Sequence, residues 1–269
     1  MKAVCDTMDV LEIFTISRAS ERAKRVLKLF LSRRNFELTA LFAETFILEV
    51  HNRKHTYYGI VMQFSIKYTF ETIRENIAEF VTFFKICEVS LVFERPQLAS
   101  AVIQLIRSFD LTIDSFDLNL ENGYKEQYHE MIELSREAKN LDILSDPTKK
   151  FRLSISANPF QFNALRLVHA KWVTRYYLTN LFINCKELYM ENCQLKYSDY
   201  LMFFKQWIKE SRLEVAKIKM KEQRNFSALR LDIPDGFCYM IQQENTGIRA
   251  IVLFTPPDNL VNLTTEFEL

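Results

Sequence analysis

The segment Cys185–Leu195, CKELYMENCQL, and the segment Ser198–Ile208, SDYLMFFKQWI, decide the fold. In the first of them Leu188 and Met190 alternate on one face, and the residues after them keep the spacing of a leucine-rich unit, L-x-L-x-x-(N/C)-x-L. The pattern predicts a short strand that ends in a tight turn, with a buried side chain at the Asn-or-Cys position. Cys193 occupies that position.

The second segment predicts an amphipathic helix. Ser198 is the predicted N-cap, and Asp199 places an acidic side chain in the first turn. The apolar residues that recur at helical spacing are Tyr200, Phe203, Phe204, Trp207 and Ile208. This spacing predicts that Trp207 is buried on the inner face of the helix. A second strand is predicted within residues 213–220.

This helix and the strand after it resemble the nematode F-box-associated domain of the second type. The residues that carry the resemblance are Phe203, Phe204, Lys205, Trp207, Ile208, Lys209, Leu213 and Glu214. The family's Gly-Ser-Asn-Pro turn is replaced here by the shorter Glu210–Arg212. The resemblance implies a protein-binding domain that performs no chemistry.

The sequence of residues 3–34 predicts helices, one of which has its N-cap at Ser20 and an acidic residue, Glu21, in its first turn. The predicted apolar stripe consists of Ala19, Ala23, Val26, Leu27, Phe30 and Leu31. The basic side chains that face away from this stripe indicate a solvated face. Nucleic-acid binding is not indicated, because no aromatic residues are interleaved with those charges.

The same region resembles the second half of an F-box. The matching residues are Met8, Asp9, Glu12, Phe14, Ser17, Ser20, Arg22, Ala23 and Lys24. F-boxes bind the Skp-type adaptor of cullin–RING ubiquitin ligases, and the resemblance implies adaptor contacts at Val4, Met8, Leu11 and Phe14. The Leu-Pro-containing first helix of the motif is missing, so the chain is expected to begin inside that helix.

Between these regions the sequence predicts strands, then helices that alternate with strands. Strands at 36–41, 45–50 and 56–66 flank a hairpin turn at 51–55, and a helix follows at about 70–86. Later strands are predicted at 89–93, 116–120, 151–155, 188–190, 218–220, 237–242 and 249–254, and later helices at 96–109, 124–134 and 160–165. The helix at 96–109 is expected to open at Pro96.

Together these elements predict a mixed α/β fold with a leucine-rich-repeat-like body. A short helical F-box-like head over residues 1–35 precedes an F-box-associated domain over residues 36–269. That domain consists of a β-hairpin, alternating strand–helix units and C-terminal strands.

Composition excludes several functional classes. The 269 residues are 48% hydrophobic and 26% charged with a net charge of +1, so neither a nucleic acid nor an anionic membrane is indicated as partner. The 4 glycines are far apart, whereas a phosphate-cradling loop needs them clustered. No apolar run approaches the roughly 20 residues that span a bilayer.

No catalytic or metal-binding motif is evident. His51 and His55 lie in a predicted turn beside Arg53 and Lys54, which repel a cation, and the cysteines lack a C-x-x-C clamp. We therefore expect no cofactor, no metal and no enzymatic activity. The 5 irregularly spaced cysteines and the lack of a signal peptide predict reduced thiols in the cytoplasm or nucleus.

Three functions follow as hypotheses. The first is a substrate-recognition subunit of a cullin–RING ubiquitin ligase, which binds a Skp-type adaptor and an unknown protein substrate. The second is a protein-interaction module that has lost adaptor binding through truncation of the F-box. The third is an enzyme of unrecognised type, since a dispersed Ser-His-Asp triad leaves no local sequence signature.

Overall fold

The computed structural model describes residues 8, 10–32, 34–52, 55–64, 68–148, 151–153, 158–220, 237–255 and 260–265. The chain divides into two compact units, unit 1 at Met1–Tyr124 and unit 2 at Lys125–Leu269. Each unit contains a β-sheet and α-helices, so the predicted mixed α/β class is confirmed. In the described residues no helix has the length and apolar character needed to cross a bilayer.

The helices alternate with strands along much of the chain. The α-helices of the described part are α1 Val10–Ala19, α2 Glu21–Leu31, α3 Phe70–Phe83, α4 Ala99–Ser108, α5 Tyr128–Leu134 and α6 Tyr197–Lys209. Short 3-10 turns cover Asn122–Gln127, Ser135–Glu137 and Ala170–Trp172, and a π-helical turn covers Tyr177–Leu181.

The strands of the described part are β1 Phe36–Phe42, β2 Phe46–Asn52, β3 His55–Phe64, β4 Ile86–Phe93, β5 Thr112–Leu118, β6 Asn140–Ile143, β7 Ala164–Leu167, β8 Glu187–Cys193, β9 Val215–Met220, β10 Phe237–Gln242, β11 Arg249–Thr255 and β12 Leu260–Thr264. The predicted hairpin at residues 51–55 is confirmed, since β2 and β3 are antiparallel neighbours.

In unit 1 the strands follow the order β3-β2-β1-β4-β5. β1, β2 and β3 form an antiparallel meander, whereas β1, β4 and β5 are parallel to one another. Leu38, Ala40 and Phe42 of β1 are buried, and the residues between them are partly exposed. This strict alternation indicates that the core of unit 1 lies on one face of its sheet.

The helical head forms part of the core of unit 1. As predicted, the Ser20 hydroxyl caps α2 and accepts a hydrogen bond from the Ala23 N–H at 3.0 Å. On α1, the Phe14 ring stacks on Phe80 of α3 with 4.9 Å between ring centroids. The predicted boundary between residues 35 and 36 therefore marks a change from helix to strand, whereas the two compact units divide between residues 124 and 125.

Helix α4 begins later than predicted. Pro96 lies in the turn before the helix, and its carbonyl oxygen accepts a hydrogen bond from the Ala99 N–H at 2.9 Å. The expected helix start at Pro96 is therefore wrong. The apolar face of α4 is buried through Val102, Ile103 and Ile106. This burial sets the position of the helix, and it outweighs the preference of proline for the first helical position.

In unit 2 the strands follow the order β6-β7-β8-β9-β12-β11-β10. β6 to β9 are parallel and begin at residues 140, 164, 187 and 215, which are 24, 23 and 28 residues apart. β12 is antiparallel to β9 and to β11, and β10 is antiparallel to β11. The short repeated spacing agrees with the predicted leucine-rich-repeat-like alternation of strand and helix.

Two predictions of local structure in unit 2 are wrong. Residues 151–153 form no strand, because the Leu153 backbone hydrogen-bonds to the Tyr177 hydroxyl instead of to a neighbouring strand. Residues 154–157 lie outside the described part. The helical turn predicted at 160–165 is absent, because residues 160–163 have no regular structure and strand β7 begins at Ala164. Leu165 and Leu167 of β7 are buried at a spacing of two.

The strand–helix–strand segment β8–α6–β9 agrees in most respects with the strand and the amphipathic helix predicted from residues 185–208. Trp207 is fully buried on the inner face of α6, and its indole N–H donates to the Leu213 carbonyl oxygen at 2.8 Å. Cys193 is buried at the turn position of the leucine-rich pattern. The predicted N-cap is wrong, because Lys196 caps α6 and its N–H donates to the Asp199 carboxylate at 2.8 Å.

Candidate functional site

A cavity lined by both polar and apolar side chains lies at one edge of the sheet of unit 2. β6 ends at Ile143, β7 at Leu167 and β8 at Cys193. Because these strands are parallel neighbours, the loops after them meet at the same edge. In open α/β sheets, ligands bind outside the carboxyl ends of the strands.

We call this feature the edge cavity. It has a volume of about 400 Å³, which lies in the range of ligand-binding clefts. Residues from all three loops and from the segment around residue 152 line it. They are Asp146, Pro147, Thr148, Arg152, Lys171, Trp172, Val173, Thr174 and Gln194.

Backbone and side-chain hydrogen bonds connect the carboxyl ends of the three strands. The Val168 N–H donates to the Ile143 carbonyl oxygen, and the Val168 carbonyl oxygen accepts from the Asn192 side-chain amide, both at 3.0 Å. Asn192 has a φ of 57°, and asparagine tolerates this left-handed conformation better than most residues. The carboxyl ends of β6, β7 and β8 are therefore held next to one another.

A buried tyrosine hydrogen-bonds to the loop that follows β6. The Tyr128 hydroxyl donates to the Ser145 carbonyl oxygen at 3.0 Å and also hydrogen-bonds to the Ser145 hydroxyl. Burial raises the pKa of Tyr128 to about 12, so the phenol keeps its proton and remains a donor at neutral pH. Ser145 immediately precedes Asp146, which places the carboxylate at the cavity.

Side chains of both charges line the edge cavity. Lys171 Nζ lies 3.6 Å from Asp146 Oδ2, and both side chains are more than 40% exposed. Arg152 is exposed between the buried Phe151 and Leu153. The described lining therefore contains two cationic side chains and one carboxylate, and the Lys171–Asp146 ion pair is solvent-exposed and weak.

Trp172 forms one wall of the edge cavity. Its ring meets Phe151 edge-on, with 4.9 Å between centroids, and only 8% of the residue is exposed. The indole N–H is buried and has no hydrogen-bond acceptor in the described chain. Such an unpaired donor costs about 1–3 kcal/mol, so Trp172 stabilises unit 2 through the packing of its ring and not through its N–H.

A second surface of unit 2 is apolar. On α6, Leu201, Phe204, Lys205 and Ile208 form a stripe beside the inner face, and this stripe borders β10 in a groove of about 320 Å³. Tyr239 and Met240 of β10 are 49% and 65% exposed. The groove shows that α6 carries more apolar surface than the core of unit 2 uses. Exposed apolar patches of this kind mark surfaces that contact other molecules.

The residues predicted to contact an adaptor fall in different environments. Val4 lies outside the described residues, and so does the side chain of Leu11, whose backbone belongs to α1. Met8 is partly exposed. Phe14 is 3% exposed and belongs to the aromatic core of unit 1, so a partner could reach its ring only by displacing that core. The adaptor surface as a whole stays a prediction.

The candidate metal ligands are dispersed. His51 Nε2 lies 3.2 Å from Glu49 Oε2 on strand β2, and the side chain of His55 lies outside the described residues. Within the described residues, no group of three or more His, Cys, Asp or Glu side chains is arranged to hold a metal ion.

The four described cysteines are free thiols, and Cys5 lies outside the described residues. Burial raises the pKa of Cys185 and of Cys193 to about 12. Only the thiolate is nucleophilic, so these two side chains are held in an unreactive form. Cys238 on β10 is exposed.

These differences predict a selective labelling pattern. At about pH 8, iodoacetamide is expected to modify Cys238 in the folded protein and to leave Cys185 and Cys193 unmodified. Peptide mapping by mass spectrometry measures the extent at each position, and labelling in denaturant provides the control. Native labelling of Cys185 or Cys193 at the rate of Cys238 would contradict their burial.

The edge cavity was not predicted from the sequence, although one signal for it exists. Leu141 and Ile143 alternate, and Ser145, Asp146 and Pro147 follow them with the turn chemistry of a strand end. Comparison of the chain with family models, with curated proteins and with solved structures gives no match.

Proposed function

We propose that this chain is a non-catalytic substrate-recognition subunit of a cullin–RING ubiquitin ligase. In this proposal the helices α1 and α2 contact a Skp-type adaptor, and unit 2 binds the protein to be modified. The subunit acts by raising the concentration of that protein beside the catalytic module of the ligase. The cytoplasm or the nucleus is the compartment that this function requires.

One observation carries the proposal. The segment that resembles the F-box-associated domain folds as a single strand–helix–strand unit, β8–α6–β9, in which Trp207 joins the helix to the following strand through the Leu213 carbonyl oxygen. This supports the proposal, because two of the matched residues, Trp207 and Leu213, are in direct contact. The edge cavity and the apolar groove on unit 2 add two surfaces suited to a protein partner.

A second function is favoured by a specific observation. Phe14 matches the F-box pattern, yet its ring stacks on Phe80 and lies within 6 Å of the ring centroids of Phe83 and Phe84. An adaptor surface that needs this ring would compete with the core of unit 1. The alternative is a protein-interaction module that works without the adaptor.

Co-purification with a Skp-type adaptor distinguishes the two functions. We expect the adaptor to co-elute with the chain, and Leu11→Asp to weaken the complex about tenfold or more, because a charge on α1 opposes an apolar contact. Leu201→Asp, the matched change on α6 of unit 2, is expected to leave adaptor binding unchanged. Thermal unfolding of both variants verifies that they are folded.

Two outcomes would count against the ligase function. If the unmodified chain does not retain the adaptor, the ligase function is wrong and the adaptor-independent module remains. If the adaptor binds but Leu11→Asp and Leu201→Asp have the same effect, the adaptor surface does not lie on α1.

A further inference from the structure

We infer that the outer face of the sheet in unit 2 binds an amphipathic helix of a partner protein, whose apolar stripe is flanked by acidic side chains. The outer face is the side of β9, β12, β11 and β10 that points away from α6. The inference rests on the proposed protein-binding function and names the chemistry of the segment that unit 2 recognises.

Strand β11 has the pattern of a strand that is covered on both faces. Val252 borders the groove beside α6, so its neighbours Ile251 and Leu253 point to the outer face. Residues 250–254, AIVLF, are apolar without interruption, which is typical of strands that are buried on both sides. Leu253 is nevertheless 42% exposed, so the outer side of β11 carries apolar surface in contact with solvent.

The strand register extends this apolar surface to β10. Met240 lies opposite Ile251, and Cys238 lies opposite Leu253, so these side chains share the outer face. Met240 is 65% exposed and, on the last strand of the described order, also borders the groove beside α6. The outer face therefore has an apolar centre that consists of Met240, Ile251 and Leu253.

The charged residues around this centre are all cationic. The outward positions of the four strands hold Lys217, Lys219 and Arg249, and none of these positions holds an aspartate or a glutamate. The whole chain is balanced, with 35 Lys and Arg against 34 Asp and Glu. No described carboxylate forms an ion pair with any of these cations. A partner that complements the outer face therefore carries acidic side chains beside its apolar ones.

The spacing of these groups fits a helix. Lys217 and Lys219 lie on β9, and β12 separates them from β11, which corresponds to about 10 Å at two strand spacings. Arg249 lies at the start of β11, opposite Gln242. An α-helix is about 10–12 Å in diameter, so a helix over β12 reaches the lysines with one flank and Leu253 with the other. An apolar centre with a charged rim is the arrangement typical of protein interfaces.

The same features favour a protein segment over other anionic partners. A nucleic-acid backbone offers no complement to an apolar centre. The net charge of +1 gives the chain as a whole little attraction to an anionic lipid surface.

The test uses the full chain and three fluorescein-labelled helical peptides of equal length and equal leucine content. In the first peptide the leucines form one stripe flanked by glutamates. The second has the same stripe flanked by lysines, and the third has the glutamates but disperses the leucines around the helix. Fluorescence anisotropy measures binding. We expect the first peptide to bind more tightly than either of the others by about tenfold or more.

Substitutions locate the site. Leu253→Asp is expected to weaken the acidic peptide about tenfold. The double variant Lys217→Glu and Lys219→Glu is expected to reverse the preference, so that the basic peptide binds more tightly than the acidic one. Leu201→Asp and Lys205→Glu are the matched controls, because both residues are exposed on α6 beside the groove and are expected to leave binding unchanged. Thermal unfolding verifies that each variant is folded.

Three results with the peptides would overturn the inference. They are equal binding of the acidic and basic peptides, no binding of any peptide at about 1 mM, and equal effects of Leu253→Asp and Leu201→Asp.

Two further measurements test other occupants of the outer face. Co-sedimentation with vesicles of phosphatidylserine and phosphatidylcholine, abolished by the double lysine variant, would overturn the inference in favour of a membrane. A dimer in analytical ultracentrifugation that Leu253→Asp dissociates would overturn it in favour of a second copy of the chain. Failure of the peptides with the adaptor retained counts against the outer face alone, whereas peptide binding without the adaptor counts against the ligase function alone.

Discussion

Replacement of Trp207 by alanine is expected to lower the free energy of unfolding of the protein by about 3–5 kcal/mol, as large truncations in a core do. The side chain is fully buried on α6, and its indole N–H satisfies the Leu213 carbonyl oxygen. The alanine variant therefore loses apolar burial, opens a cavity and leaves a buried acceptor without its donor. Chemical denaturation followed by circular dichroism measures the loss.

Two further substitutions separate these contributions. Trp207→Phe keeps most of the ring volume but removes the hydrogen bond, so a smaller loss of about 1–3 kcal/mol is expected. Met202→Ala changes a side chain on the same helix that is 46% exposed, and its effect should stay within about 0.5 kcal/mol. If Trp207→Ala and Met202→Ala shift the unfolding midpoint equally, the inner face of α6 has been assigned incorrectly.

The helix α6 and the strand β8 were predictable because their signals are local. Phe203 and Trp207 recur at the helical period, and Leu188 and Met190 recur at the period of a strand. Each period follows from the backbone geometry of a single element. Neither prediction required knowledge of which other element lies beside it.

The strand predicted at 151–155 shows where this reasoning fails. Phe151 and Leu153 are buried and Arg152 is exposed, which is the alternation of a strand. A strand also requires a neighbouring backbone to accept its hydrogen bonds. Here the Tyr177 hydroxyl provides those bonds from 24 residues further along the chain, and no local pattern reveals such a partner.

The edge cavity could not be predicted either, because it also depends on contacts between residues that are far apart in the sequence. Its residues lie between positions 146 and 194, and the parallel register of β6, β7 and β8 brings them together. Two of these strands, β6 and β7, have only four residues each. Elements so short give too few repeats for a period to be recognised, so the site depends on contacts that only the folded chain defines.

The F-box resemblance and the structure lead to different expectations for Phe14. The resemblance implies that Phe14 contacts the adaptor, whereas in the structure its ring is buried in the core of unit 1. A residue that serves only as an adaptor contact can be truncated without loss of stability. Phe14 instead stacks on Phe80 and meets Phe83 edge-on. Phe14→Ala is therefore expected to lower the free energy of unfolding by about 3–5 kcal/mol, whether or not the adaptor is present.

Ile16→Ala is the matched control for Phe14→Ala, since Ile16 lies on the same helix and is 43% exposed. Its expected effect on stability is within about 0.5 kcal/mol. Thermal and chemical unfolding of the three proteins, each measured alone, determines the result. An unchanged unfolding midpoint for Phe14→Ala, together with weaker adaptor binding, would show that the ring contacts the adaptor and not the core of unit 1. A large loss of stability would show that any weakening of adaptor binding by this variant follows from the disrupted packing of α1 on α3.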